Sequence, residues 1–242
     1  MTEKPYSYVS KIYNHLMRSV NYKEWADYIF SIYDFMNVQG SSILELASGN
    51  SKLSTLLLKR FPKIIVTDLS YEMLNLSNSL GLRKVCCNMA ELPFKNKFSF
   101  IYSTFDSINY LDNEESVNKL FKNIFYILDD EGCFTFDVSL EKNSIKHEKR
   151  LNRKGKVDGL KFIQNSKYDR ISKIHQNKFK IKLENGSIVE EIHRQKIYDF
   201  EFYFNIIEQH NLYVVHCFNS FTYDDANSES ERAQFVVKKR LH

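Results

Sequence analysis

The chain is 242 residues long, 43% hydrophobic and 26% charged, with a formal net charge of +4. That length is enough to bury a proper core in one elaborated domain, and the composition is globular rather than disordered, collagen-like or membrane-spanning. The mild positive charge does not call for a nucleic-acid partner, and Cys86, Cys87, Cys133 and Cys217, with no C-x-x-C spacing, make neither a zinc site nor a disulfide framework. The opening M-T-E-K-P-Y has no signal-peptide core, and no stretch approaches the roughly 18 apolar residues of a membrane span. A reduced, cytoplasmic protein without a membrane anchor or a bound metal is expected.

In chain order, Tyr8 to Met17 and Tyr22 to Met36 have helical spacing, the second with Asn21 as N-cap and an aromatic stripe through Trp25, Tyr28 and Tyr33 that suits a core. Strands and helices then alternate. Ile43 to Ala47 is a strand that bends through Ala47-Ser48-Gly49-Asn50-Ser51 into a helix reaching Arg60. Ile64 to Thr67 is a strand ending at Asp68, and Ser70 caps the next helix. Arg83 to Cys87 and Phe98 to Thr104 are strands. Val117, Leu120, Phe121, Ile124 and Leu128 form an amphipathic helix that Gly132 turns into the strand Cys133 to Val138. Such alternation predicts a mostly parallel sheet with helices on both faces, whose ligand sits at the carboxyl ends of the strands.

From Ser139 the pattern changes. Lys146 to Lys156 holds six basic residues and little apolar content. Period-two strands follow, and Asn185-Gly186 signals a two-residue hairpin turn. That turn sets Leu183 opposite Ile188, Phe179 opposite Ile192 and Lys180 opposite Glu191. It also puts His193 on the face of Lys178, Lys180 and Lys182. Phe200 to Gln209 is then a helix, Tyr213 to Phe218 and Gln234 to Lys238 are strands, and Asp224 to Arg232 is a polar loop. The expected organisation is residues 1–140 as N-terminal helices plus a ligand-binding part, 141–197 as an antiparallel β insertion or lid, and 198–242 completing the main sheet with an antiparallel edge strand.

The strand ends carry the chemistry. The small-residue turn after Glu45 exposes backbone N–H groups at a helix N-terminus. Asp68 can accept both hydroxyls of a ribose, Leu69 can pack on a flat base, and Asn88 with Met89 offers a polar and an apolar contact to a base edge. The series E-L-A-S-G-N-S, V-T-D-L-S-Y-E-M-L, N-M-A-E-L-P-F, F-S-F-I-Y and D-S-I-N-Y-L resembles a class I S-adenosylmethionine-dependent methyltransferase of the bacterial small-molecule group, closely from Tyr13 to about Val138.

The resemblance implies a Rossmann-like fold and S-adenosyl-L-methionine as cofactor. Glu45, Ala47, Ser48, Gly49 and Asn50 would line its methionine portion and ribose, and Asp68 would take the ribose hydroxyls. Leu69 and Met73 would flank adenine, with Asn88 and Met89 at its edge. Phe105 would sit by the methionine portion, and Tyr13 and Tyr22 would close over it. Ser51 stands where the family usually has glycine; a serine there restricts φ but can also cap a helix. Methyl transfer needs a base only when the nucleophile must lose a proton. The candidates are Asp106, Asn109 and Tyr110 after the fourth strand, and His193 on the hairpin. The loop Asp106-Ser107-Ile108-Asn109-Tyr110 lacks the paired prolines of methylases that act on exocyclic base amines. The expected reaction moves a methyl group to N or O of a small-molecule acceptor. The alternatives are an RNA or nucleotide-linked sugar acceptor held by Lys146 to Lys156, and a binding protein with a decayed cofactor turn.

Overall fold

In the computed structural model, which describes residues 2–241, the chain forms two sheets. The helices α1 (Val9–Leu16) and α2 (Tyr22–Phe35) follow the short strand β1 (Thr2–Glu3), and the Asn21 side chain accepts the Glu24 N–H at 3.2 Å, as an N-cap should. The alternating part runs β2 (Ile43–Leu46), α3 (Lys52–Leu57), β3 (Ile65–Asp68), α4 (Tyr71–Asn75), β4 (Arg83–Cys86), β5 (Phe98–Ser103), α5 (Glu114–Ile127) and β6 (Leu128–Ser139). After an intervening segment come α7 (Phe200–Gln209), β11 (Leu212–Asn219) and β12 (Arg232–Lys239).

These strands make a seven-stranded sheet in the order β11-β12-β6-β5-β2-β3-β4. The five strands from β4 to β6 run parallel, and β12 is antiparallel to both β6 and β11. Every residue of β2 and of β5 is buried. Near-continuous apolar runs behave this way when helices cover both faces of a sheet. One face packs Leu44, Ile101, Phe134 and Phe136 against α5 and α7; the other packs Ile43, Val66, Phe100 and Tyr102 against α2 and α3. The strand after α5 starts at Leu128 rather than after Gly132, and Gly132 lies buried within it.

The intervening segment opens with α6 (Glu141–Arg150), so its first ten residues are helical rather than β. This helix escapes a sequence reading because Asn143 and Ser144 are its buried side chains. The run Lys146 to Lys156 is thereby divided between the end of α6 and the strand β7 (Arg153–Val157). With β8 (Leu160–Asp169), β9 (Ile174–Lys182) and β10 (Ile188–Lys196), β7 forms an antiparallel sheet that β1 extends by pairing parallel to β10. Its inner face buries Leu160, Phe162, Phe179 and Ile181 against Val9, Ile12 and Leu16 of α1.

The hairpin register differs from expectation by one residue. Glu190 pairs with Lys180, Glu191 with Phe179 and His193 with Asn177. Leu183 and Ser187 close the loop through the Leu183 N–H and Ser187 carbonyl at 2.9 Å, and Gly186 takes φ +84°. Three residues therefore turn the chain, not two, with glycine at the left-handed position of such a loop. A one-residue slip moves every side chain of β10 to the opposite face. Lys178 and Lys180 consequently pair with Glu190, at 2.9 and 3.0 Å, and Glu191 and His193 turn inward.

Candidate active site

The turn after β2 is held in an unusual conformation. Ala47, Gly49 and Ser51 take φ of 52°, 56° and 55°. At Gly49 a Cβ would lie 3.3 Å from Met73 Cε and 3.8 Å from Tyr13 Oη, so glycine suits a position that is left-handed and close to Met73. The Ser51 hydroxyl pairs with that of Ser48 at 3.1 Å and does not cap α3, contrary to the cap expected of it. Asn50 ties the turn to α1 by donating from Nδ2 to Asn14 Oδ1 at 2.9 Å.

Asp68 ends β3 directly beside this turn. Its Oδ2 accepts the Gly49 N–H at 2.7 Å and its Oδ1 the Ser70 N–H at 2.8 Å. Burial raises its carboxyl above the usual range while these N–H groups pull it back. Leu69 is 71% exposed, an aliphatic face with no packing partner of its own. Asn88 Oδ1 accepts the Ala90 N–H at 2.9 Å in a local turn, and Met89 packs half-buried beside it. Tyr22 and Trp25 meet Phe105, with ring centroids 5.6 and 4.5 Å away, and Tyr13 lies over Gly49.

Two of the residues expected to line the site are fully buried. Glu45 is 1% exposed, accepts the Ser54 hydroxyl, and has Tyr102 next to that hydroxyl, 3.0 Å from it. Burial pushes its carboxyl up to about 8. Met73 is buried, with its Cε 3.3 Å from where a Cβ on Gly49 would stand.

The four base candidates divide between two clusters. Asp106 is engaged at both oxygens: Arg232 donates to Oδ1 at 2.6 Å and Gln195 to Oδ2 at 2.6 Å. Arg232 also donates to Asp137, whose Oδ2 accepts the Asp106 N–H at 2.9 Å. Burial raises the Asp137 carboxyl to about 6 against the pull of Arg232. Both carboxylate oxygens of Asp106 are thus taken up by charge-assisted and amide donors. Asn109 serves the frame, binding the Ser139 backbone through both ends of its carboxamide.

Tyr110 and His193 do meet. The Tyr110 hydroxyl is 3.3 Å from His193 Nδ1 and 2.8 Å from the Tyr6 hydroxyl. His193 is 3% exposed on the inner face, not among the lysines, and its Nε2 lies 3.2 Å from Glu191 Oε2. Glu191 also accepts the N–H groups of Tyr6 (2.8 Å), Tyr8 and Val9 (3.0 Å), satisfying the open donors that start α1. A carboxylate at Nε2 selects the tautomer protonated there, leaving Nδ1 as the acceptor toward Tyr110. The sequence reading gave no site role to Tyr6, Glu191, Arg232, Asp137 or Gln195.

Residues 43–132 match the family model described as a methyltransferase domain. The protein YqeM of Bacillus subtilis (strain 168), which carries a methyltransferase name, is 25% identical, with 97% of each chain covered. The crystal structure of an S-adenosylmethionine-dependent methyltransferase from Clostridium acetobutylicum ATCC 824 superposes with a TM-score of 0.79 at 24% identity, covering 97% of this chain and 98% of the other. The sugar N-methyltransferase KedS8 from Streptoalloteichus sp ATCC 53650 superposes with a TM-score of 0.75 at 15% identity, over 94% and 91% of the two chains. A methyltransferase domain across the strands that carry the turn and Asp68, with end-to-end likeness to whole methyltransferases, supports a class I S-adenosylmethionine-dependent methyltransferase.

Proposed function

We propose that the enzyme methylates N or O of a small polar acceptor, with Tyr110 and His193 receiving the proton that the acceptor sheds. The observation that carries this is the buried chain Tyr110–His193–Glu191, a hydroxyl backed by an imidazole that is in turn backed by a carboxylate. The cofactor fits the residues present. A carboxylate has about four acceptor sites, and Asp68 spends two on backbone N–H groups, which leaves two for ribose hydroxyls. Exposed Leu69 suits adenine, and the Asn88 amide, its oxygen used locally, keeps N–H donors for the base edge. Tyr13, Tyr22 and Phe105 enclose the methionine end, with the Ala47 to Asn50 turn beneath.

The bound cofactor supplies an electrophilic sulfonium methyl, so the protein's work is alignment, exclusion of water and proton removal. Tyr110 is the group that meets the acceptor, because His193 is closed off from the cleft. Its hydroxyl takes the leaving proton as His193 Nδ1 takes the hydroxyl's own. Glu191 holds the resulting imidazolium by an ion pair. Access for the acceptor is offered by a polar pocket of about 620 Å³ that includes Asn143, Ser220, Phe221 and Arg232. The likeness to a sugar N-methyltransferase supports an amine or hydroxyl on a polar small molecule.

Calorimetric titration with S-adenosylmethionine tests the cofactor half. Asp68→Ala should weaken binding by about 10²–10⁴-fold, since two hydrogen bonds to a charged group are worth about 1.5–3 kcal/mol each. Unchanged affinity removes Asp68 from the site. For the acceptor half, metabolite pools are incubated with methyl-labelled cofactor and the product is read by mass. With that acceptor, His193→Gln should lower kcat by about 10²–10⁴-fold. A variant with wild-type kcat excludes the relay.

A further inference from the structure

The outer face of the small sheet is a lysine field with an internal conflict. Residues on β8 alternate strictly between buried and exposed, so the face opposite α1 is open to solvent. On it Lys156 pairs directly with Lys161, and Lys161 directly with Lys182. Three cations thus share one row across three strands, ~4.8 Å apart from strand to strand, where like charges oppose folding. The next row has Lys154 and Lys180 flanking Ile163, and Lys178 follows opposite Asn165. Glu190 is the single acid among these rows, and it is shared by Lys178 and Lys180. Among the described residues, Lys154, Lys156, Lys161 and Lys182 make no ion pair. Asp158 and Glu184 sit beyond the rows, in the turns. Six lysines against one glutamate on half of one face contrast with +4 for the whole chain.

We infer that this face docks the phosphate backbone of structured RNA. A polyanion removes the repulsion within the Lys156–Lys161–Lys182 row, and a rigid sheet presents the cations at fixed spacing without an ordering cost. The face carries no aromatic side chain, so it cannot stack unpaired bases. It is flat and has no helix or ribbon to enter a DNA major groove. What remains is recognition of an A-form helix by shape and phosphate, without sequence preference. The inner face of the same sheet packs on α1, which lies on the cofactor turn, so the lysine rows point away from the cleft. The RNA is therefore a docking partner that localises the enzyme, not its methyl acceptor, and the inference stands apart from the assignment of the acceptor.

The test is fluorescence anisotropy of a labelled RNA hairpin with the full chain across a salt series. Parallel arms use a DNA duplex, vesicles rich in anionic lipid, and polyglutamate. Binding to RNA that weakens linearly with log salt is expected. The triple variant Lys156→Glu/Lys161→Glu/Lys182→Glu should bind at least about tenfold more weakly, with the salt slope smaller by about 0.9 for each phosphate that is no longer neutralised. The same variant should bind S-adenosylmethionine normally, which shows that it is folded. The inference is overturned by no RNA binding at low salt, by a triple variant that binds RNA as wild type does, or by tighter binding to DNA, vesicles or polyglutamate than to RNA.

Discussion

The two sheets use their residues in opposite ways. The large sheet is covered on both faces, so β2 and β5 have no solvent side, and their chemistry is confined to where the strands end: the Ala47–Ser51 turn, Asp68, Asn88 and Phe105. The small sheet is covered on one face only, so each of its residues belongs either to the core side with Phe179, Glu191 and His193 or to the lysine side. In the first case position along the strand decides function; in the second, parity does. Helix α1 joins the two, packed on the small sheet by Val9 and Ile12 and on the turn by Asn14.

The sharpest way to break the large-sheet side of this contrast is Arg232→Ala. It would leave Asp106 and Asp137 facing each other, buried and unpaired, next to the site wall. Loss of one partner from a buried ion pair costs about 3–5 kcal/mol. Urea unfolding should show that drop, and an additional Asp137→Asn should recover part of it. A small change in the midpoint would mean that the cluster contributes little to the fold.

On the small-sheet side, Glu191→Ala removes the acceptor for three N–H groups of the α1 entry and for His193. Each buried donor left open costs about 1–3 kcal/mol, so a loss near 3 kcal/mol is expected once water reaches the exposed ones. Amide exchange at Tyr6, Tyr8 and Val9 should accelerate selectively. Glu191→Gln retains one carbonyl acceptor and should lose less. If amide exchange instead rises evenly across the molecule, Glu191 does not latch α1 to the small sheet.

Glu45 separates the two sides by pH. Its folded value near 8 exceeds the ordinary carboxylate value, so the folded state holds a proton that the unfolded chain has released. Its contribution is thus present in full below the unfolded value and is lost as pH rises through the folded one. Stability should fall between about pH 5 and 8, with a slope of at most about 1.4 kcal/mol per pH unit for this group. Asp137, raised to about 6, acts in the same direction over the lower part of that window. Thermal melts at a series of pH values check this, and Glu45→Gln should flatten the upper part. A slope unchanged in that variant would assign the proton to another group.

The same contrast governs what the sequence could show. A strand buried on both faces, such as β2 or β5, is marked by its apolar run, and the small or polar residues that follow mark its end. No pairing partner need be known. The face of His193 depends on how many residues turn the chain at Asn185-Gly186. That dipeptide serves a two-residue turn and, with Gly186 left-handed, a three-residue one. The difference carries His193 from a lysine row to the core. Arg232 and Glu191 stayed invisible for another reason: their partners are 95 to 185 positions away, and no local pattern records such pairs. Helix α6 shows the converse, a helix that buries Asn143 and Ser144 and so lacks the apolar stripe that periodicity detects.

The smallest expected effect lies in the turn itself, where Ser51 replaces the glycine of similar enzymes. A left-handed residue with a Cβ is strained by roughly 1–2 kcal/mol, and glycine would relieve this. Against that stand the greater freedom of an unfolded glycine, about 0.5–1 kcal/mol, and loss of the hydroxyl pair with Ser48, about 1 kcal/mol. Ser51→Gly should therefore shift stability by less than about 1 kcal/mol and leave cofactor affinity within a few-fold. Gly49→Ala meets the same φ penalty, offset only in part by the lower freedom of the unfolded chain, and its methyl group comes within 3.3 Å of Met73. It should lose about 1–2 kcal/mol and bind cofactor distinctly more weakly. Calorimetry on the two variants side by side decides whether the turn works because its backbone is left-handed at Ser51 or because it is bare at Gly49; equal losses in both would favour the backbone alone.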